Sequence, residues 1–109
     1  MKKSFDKYLK RLDQKTRKNA YKQFKKGKTV DCFTYDLDVF LSNVLGEYLE
    51  YYLNRASKII EIGEQTQEDI KFMINFFNNY SKIIENEQGN QDYNKAFDLL
   101  KEHFRGLWW

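Results

Sequence analysis

The chain has 109 residues, 41% hydrophobic and 32% charged, with a formal net charge of +3, one cysteine and no proline. That length is one domain's worth and buries about 65% of the surface an unfolded chain exposes. The longest apolar stretches are far too short to span a membrane, the lysine-rich start lacks the apolar run of a signal peptide, and the lone Cys32 excludes an intrachain disulfide or a multi-cysteine zinc site. Apolar residues spread along the whole chain argue against disorder. The lack of proline favours helices joined by short connections. The expectation is a single helical domain over 1–109, with a basic segment over 1–28 and a helical body over 33–109, in a reducing cytoplasm.

Four amphipathic patterns follow in order. Over residues 4–26, Phe5, Tyr8, Leu9, Leu12, Ala20, Tyr21 and Phe24 recur at three- and four-residue steps. Ser4 is the expected N-cap, with Asp6 in the first turn and Gly27 as the stop. The stripe is thinnest at Lys15, Thr16 and Arg17, where a bend or break is expected. The second pattern carries Leu37, Leu41, Val44, Leu45, Tyr48, Leu49, Tyr52, Leu53, Ala56 and Ile60 at helical period. Thr34 is its expected N-cap, Phe33 its staple against Leu37 or Val39. Gly46 falls on its polar side, at a cost of about 1 kcal/mol unless something packs closely there.

The third pattern opens with Thr66 and Asp69 in capping-box spacing. Ile70, Met73, Ile74, Phe77, Ser81 and Ile84 form one face, and Phe72, Phe76 and Ile83 a second. A helix apolar on two faces sits in a core or at an interface. The fourth pattern, capped by Asn90 or Asp92, aligns Tyr93, Ala96, Phe97, Leu100, Phe104, Leu107 and Trp108. Trp108 is therefore expected to be buried, its replacement by Ala costing about 3–5 kcal/mol. Trp109 lies about 100° away and is assigned to a surface contact. Gly106 offers the alternative, a break that folds residues 107–109 back as a hook. The fold expected is all-α, a compact bundle of three to four amphipathic helices with a basic N-terminal helix, antiparallel through loops near 28–33, 62–66 and 86–91.

Three stretches together resemble a group of small uncharacterised proteins of tailed bacteriophages. They are Tyr35, Leu37, Asp38 and Leu41 opening the second helix; Met73, Ile74 and Phe77 in the third; and Phe104, Leu107 and Trp108 at the end. The resemblance covers about residues 33–108. It implies phage origin, hence the cytoplasm of an infected bacterial host, and a helical body; it transfers no activity. Tyr35 stands where Trp is common in that group.

Catalytic chemistry is not legible. His103 has no Glu three residues before it, since position 100 is Leu, and the adjacent Glu102 is expected to point elsewhere on the helix. Cys32 has no activating neighbour and reads as a small apolar residue. No phosphate loop, nucleophile elbow or metal-ligand pair occurs. The expectation is no enzyme, no cofactor and no metal. Asp38 borders the apolar stripe, so it serves the helix dipole or a buried ion pair with Arg105 or an N-terminal cation.

Charge is the clearest functional signal. Residues 1–29 hold twelve Lys/Arg against Asp6 and Asp13, a net of +10, on an otherwise acidic body. Such asymmetry points to a polyanionic partner or to pairing with the chain's own acidic part. Lys7, Lys10, Arg11, Lys15, Arg17, Lys18, Lys22, Lys25 and Lys26 are the candidate contacts, with Tyr8 and Tyr21 interleaved for stacking. Aromatics outside the main stripes, namely Phe40, Tyr51, Phe72, Phe76 and Trp109, are the candidate protein interface. The leading expectation is a non-enzymatic phage accessory protein that binds and blocks a host protein or ribonucleoprotein, a bacterial immune effector such as a CRISPR nuclease among them. The alternatives are a sequence-independent nucleic-acid binder using residues 1–28 and a self-associating assembly factor.

Overall fold

The structure, a computed structural model, describes residues 2–108, without the side chain of Lys2. Its elements in order are α1 (Lys2–Leu9), α2 (Gln14–Lys25), a 3-10 turn (Asp31–Thr34), α3 (Leu37–Ala56), α4 (Glu64–Asn78), the single turn α5 (Tyr80–Ile83), α6 (Gly89–His103) and a closing 3-10 turn (Phe104–Gly106). Among the described residues there is no strand, and no helix is long and apolar enough to cross a membrane. The fold is all-α.

The basic N-terminal pattern is two helices, broken at residues 10–13 and not at Lys15–Arg17. The Asp13 carboxylate accepts from the Thr16 amide at 2.8 Å and from its hydroxyl at 3.1 Å. A side-chain acceptor offered to the backbone starts a new helix more readily than it continues an old one. The same bonds hold the Asp13 carboxyl below its usual range. Gly27, at φ 70°, ends α2. Its amide bonds to Phe24 O and that of Lys28 to Gln23 O, the paired reversal that positive φ permits. Ser4 is no cap. It lies inside α1, buried, and its Oγ donates to Asn43 O of α3 at 3.1 Å, while Glu47 accepts from the Ser4 amide at 3.0 Å.

Two cores share α3. The first is aromatic: Phe5, Tyr8, Phe33 and Phe40 with Leu9, Ala20, Val30 and Cys32. Phe33 stacks on Phe40 at 3.9 Å, with Val39 packed against the same cluster and Leu37 left exposed. The Tyr8 hydroxyl donates to Cys32 O at 2.8 Å. Burial raises the Cys32 thiol above its ordinary value, in keeping with an apolar role. The second core gathers Leu49 of α3, Ile70, Met73, Phe76 and Phe77 of α4, and Ala96 of α6. α4 is the central element here, packed between α3 and α6.

The contact face of α3 is rotated from the apolar stripe. Its buried residues are Phe40, Ser42, Asn43, Gly46, Leu49 and Ala56, whereas Leu37, Leu41, Tyr48 and Ile60 are exposed, and the helix ends at Ala56. Close approach selects small residues over large apolar ones. A Cβ on Gly46 would meet the side chain of Asn78 and, at 3.0 Å, its backbone nitrogen. Gly46 is thus the point where the end of α4 crosses α3. Thr34 does not cap α3; its hydroxyl donates to Asp31 O, and Asp36 occupies the cap position without a side-chain bond. α4 begins at Glu64, ahead of the Thr66–Asp69 box. α6 begins at Gly89, where a Cβ would meet the backbone of Ile83 and Ile84, so neither Asn90 nor Asp92 is its cap.

The C-terminal segment turns back as a hook. Past Phe104–Gly106 the Tyr52 hydroxyl of α3 donates to Trp108 O at 2.9 Å and Gly106 O at 3.3 Å. Leu107 packs on the second core, but Trp108 is 68% exposed, and Trp109 lies outside the described residues. The 3-10 turn shifts the register after His103, so Trp108 leaves the stripe it was in phase with. Trp108→Ala is therefore expected to cost under about 1 kcal/mol, and Leu107→Ala more, about 1–3 kcal/mol for a half-buried leucine. Urea unfolding of the two variants checks the order.

Candidate functional site

Of the predicted cations, Lys7 and Arg11 are engaged within the chain. Lys7 Nζ donates to Asn78 O at 2.9 Å, a cation at the C-terminus of α4, where the dipole favours it. Arg11 pairs with Asp36 at 3.7 Å and lies over the Tyr8 ring at 5.8 Å. Arg17 is half-buried. Lys10, Lys15, Lys18, Lys22, Lys25 and Lys26 are exposed.

Lys15, Lys18, Lys22 and Lys25 follow three-, four- and three-residue steps, so they share one face of α2. The Asp13 cap fixes where that face starts, and Gly27 fixes where it ends. Beside it runs an open groove lined by Lys15, Thr16, Lys18, Asn19, Lys22 and Tyr35. Tyr35 comes from the junction between the 3-10 turn and α3 and is 64% exposed. Neither tyrosine expected to stack is placed for it. Tyr8 is buried, and the Tyr21 hydroxyl is bound to Asp6 Oδ1 at 2.8 Å, its ring against Phe5 at 5.1 Å. Tyr35 carried no helical phase that would place it beside α2; the chain reversal at 27–34 puts it there.

The proposed protein-interface set is dispersed. Phe40 and Phe76 are buried, one in each core, and are corrected from interface to core. Both lie off the stripes of ideal helical phase, but the rotation of α3 and the sandwiching of α4 bring them inward. Phe72 is half-buried beneath Lys95, whose Nζ stands 4.2 Å from the ring centre. Tyr51 remains exposed, with the Arg55 guanidinium 5.9 Å from its ring. Trp109 is outside the described residues.

His103 has partners after all. Its Nε2 lies 2.9 Å from Asp69 Oδ2, with both side chains mostly buried. Glu102 does not point elsewhere: its carboxylate joins Asp69 and His103 in a group whose ligand atoms fall within 4.8 Å. His103 ends α6, where the turn tightens and neighbouring side chains converge. The imidazole first, then the Gln65 amide at 2.9 Å, holds the Asp69 carboxyl below its usual range. The His103–Asp69 bond ties α6 to α4, whereas Gln65 lies on α4 itself.

Asp38 is exposed and, among the described residues, has no ion pair; it accepts from the Tyr80 hydroxyl at 2.7 Å, which corrects the buried ion pair. Burial, then the Asp38 carboxylate, pushes the Tyr80 hydroxyl up to about 12. A group whose folded value lies above its ordinary one stabilises fully below that ordinary value, here near pH 10, and loses the contribution as pH climbs toward 12. Tyr80→Phe is expected to lower stability at pH 8, by about 1.5–3 kcal/mol for one hydrogen bond to a charged group, and the gap to the native chain should close above pH 10. Urea midpoints across that range check it.

Against known protein families, characterised proteins and solved structures, the chain gives no match.

Proposed function

We propose that this chain is a non-enzymatic binding protein that holds single-stranded nucleic acid, without sequence preference, along the basic face of α2. One observation carries the reading: an exposed tyrosine, Tyr35, lines the same groove as Lys15, Lys18 and Lys22. Lysines at helical spacing supply a track for phosphates, and an aromatic face beside them supplies a platform for a base. A lysine track alone would serve duplex and single strand alike; an unstacked base is what a free ring selects. Besides lysine, the polar groups lining the groove are Thr16, Asn19 and the Tyr35 hydroxyl.

Anisotropy with labelled single-stranded DNA and RNA, against a duplex of equal length, tests this. Tighter binding of the single strand and a steep fall with salt are expected; no binding at low salt overturns the proposal. The second reading, a phage accessory protein that blocks a host macromolecule such as a CRISPR nuclease, draws on the same exposed cations, which suit a nucleic-acid-loaded complex. It gains ground if α2 binds such a complex but no free oligonucleotide.

A further inference from the structure

A compact monomer of 13.3 kDa exposes about 6,450 Å². This chain exposes 7898 Å². Its radius of gyration is 15.5 Å, where about 13 Å is expected for its length. With extents of 46 × 37 × 18 Å it is flattened, its thinnest dimension less than two helix diameters. The excess of about 1,400 Å² exceeds the roughly 800 Å² each partner contributes to a standard interface.

Large apolar side chains stand exposed on α3, at Leu37, Leu41, Tyr48 and Tyr51, and along α6, an outer helix that packs on α4 and the closing turn. Tyr93, Phe97, Leu100 and Phe104 follow four-, three- and four-residue steps, the spacing of a seam between paired helices. Tyr93 and Phe97 meet Phe76 and Phe77 of α4 at 6.3 and 5.5 Å between ring centres, and both remain partly open to solvent. Phe104 stands 67% exposed. Beside it lies a hollow of 350 Å³ lined by Phe97, Leu100, Lys101, Phe104 and Arg105.

We infer that α6 pairs with α6 of a second copy of this chain, Phe104 of each entering the hollow between Phe97 and Leu100 of the other. A protruding ring and a hollow on the same face make that face self-complementary, as a two-fold interface requires. The pairing seals the outer side of the second core and uses the surplus surface. It shares no residue with the α2 groove, so a dimer carries two grooves and gains avidity on a long strand.

Light scattering on the full chain across a concentration series tests this directly. The expected mass is twice 13.3 kDa. Phe97→Glu and Phe104→Glu should each return it to the monomer mass; Phe104→Glu, with the more exposed ring, should do so with helical circular dichroism intact. Leu41→Glu, on the exposed side of α3, should leave the dimer unchanged. A monomer at every concentration overturns the inference. So does a dimer that survives Phe104→Glu, or one dissolved by Leu41→Glu.

Discussion

Reversing charge at Lys15, Lys18 and Lys22 together is expected to abolish binding of single-stranded oligonucleotide. Three lysines that each neutralise one phosphate give a log–log salt slope near −2, because about 0.7 counterion is released per contact on a single strand. The native chain should therefore lose about 20-fold in affinity between roughly 50 and 200 mM salt, and the triple variant should lose both the affinity and the slope. All three side chains are exposed, so the fold should survive, which circular dichroism checks. Lys58→Glu, exposed beyond the end of α3, is the control and should change little. Tyr35→Ala separates stacking from charge. It should weaken binding about 5- to 150-fold, from the 1–3 kcal/mol of one stacked base, with the salt slope unchanged. An unchanged affinity at Tyr35→Ala would remove the preference for single strands and leave only a polyanion track.

Phe76→Ala is expected to cost about 3–5 kcal/mol, read from urea or thermal unfolding. The ring is 1% exposed and meets Phe77 at 5.2 Å, Tyr80 at 5.8 Å and Tyr93 at 6.3 Å, each near edge-to-face. Its removal empties the middle of the second core, where α4 lies between α3 and α6. For a domain of this size that is a large share of the whole stability. Tyr51→Ala, on an exposed ring, is expected to stay within about 0.5 kcal/mol. Equal losses at the two positions would contradict the division between core and surface aromatics.

The contrast between Phe76 and Tyr51 marks how far periodicity reaches. Both rings lie off the ideal stripes of their helices, and the pattern treats them alike. α4 is enclosed on two sides, so a ring off its main stripe is still inside; α3 turns its buried residues toward α1, α4 and α5, which leaves Tyr51 outside. That rotation was hidden because a close helix crossing is marked by Gly46 and Ser42, residues that hydropathy scores as indifferent. Asp13 is hidden for a related reason: a cap is one side chain in one rotamer, whereas the thinning of apolar residues points to Lys15–Arg17. Of the candidate site, the lysines were plain in the sequence and the ring beside them was not, since Tyr35 is seventeen residues or more from Lys15 and Lys18 and reaches them through a reversal of the chain.

The chain alone carries the all-α class, the presence of helix in each of the four amphipathic patterns and the basic character of the first quarter. These depend on local spacing and on composition, which do not change with the arrangement of the helices. Tertiary structure alone decided which face of α3 is buried, which aromatics are core, that Glu102 and His103 converge on Asp69, and that Tyr35 joins the lysines of α2. Each of those depends on which surfaces meet across long stretches of chain, and a helix's own periodicity carries no information about its neighbour.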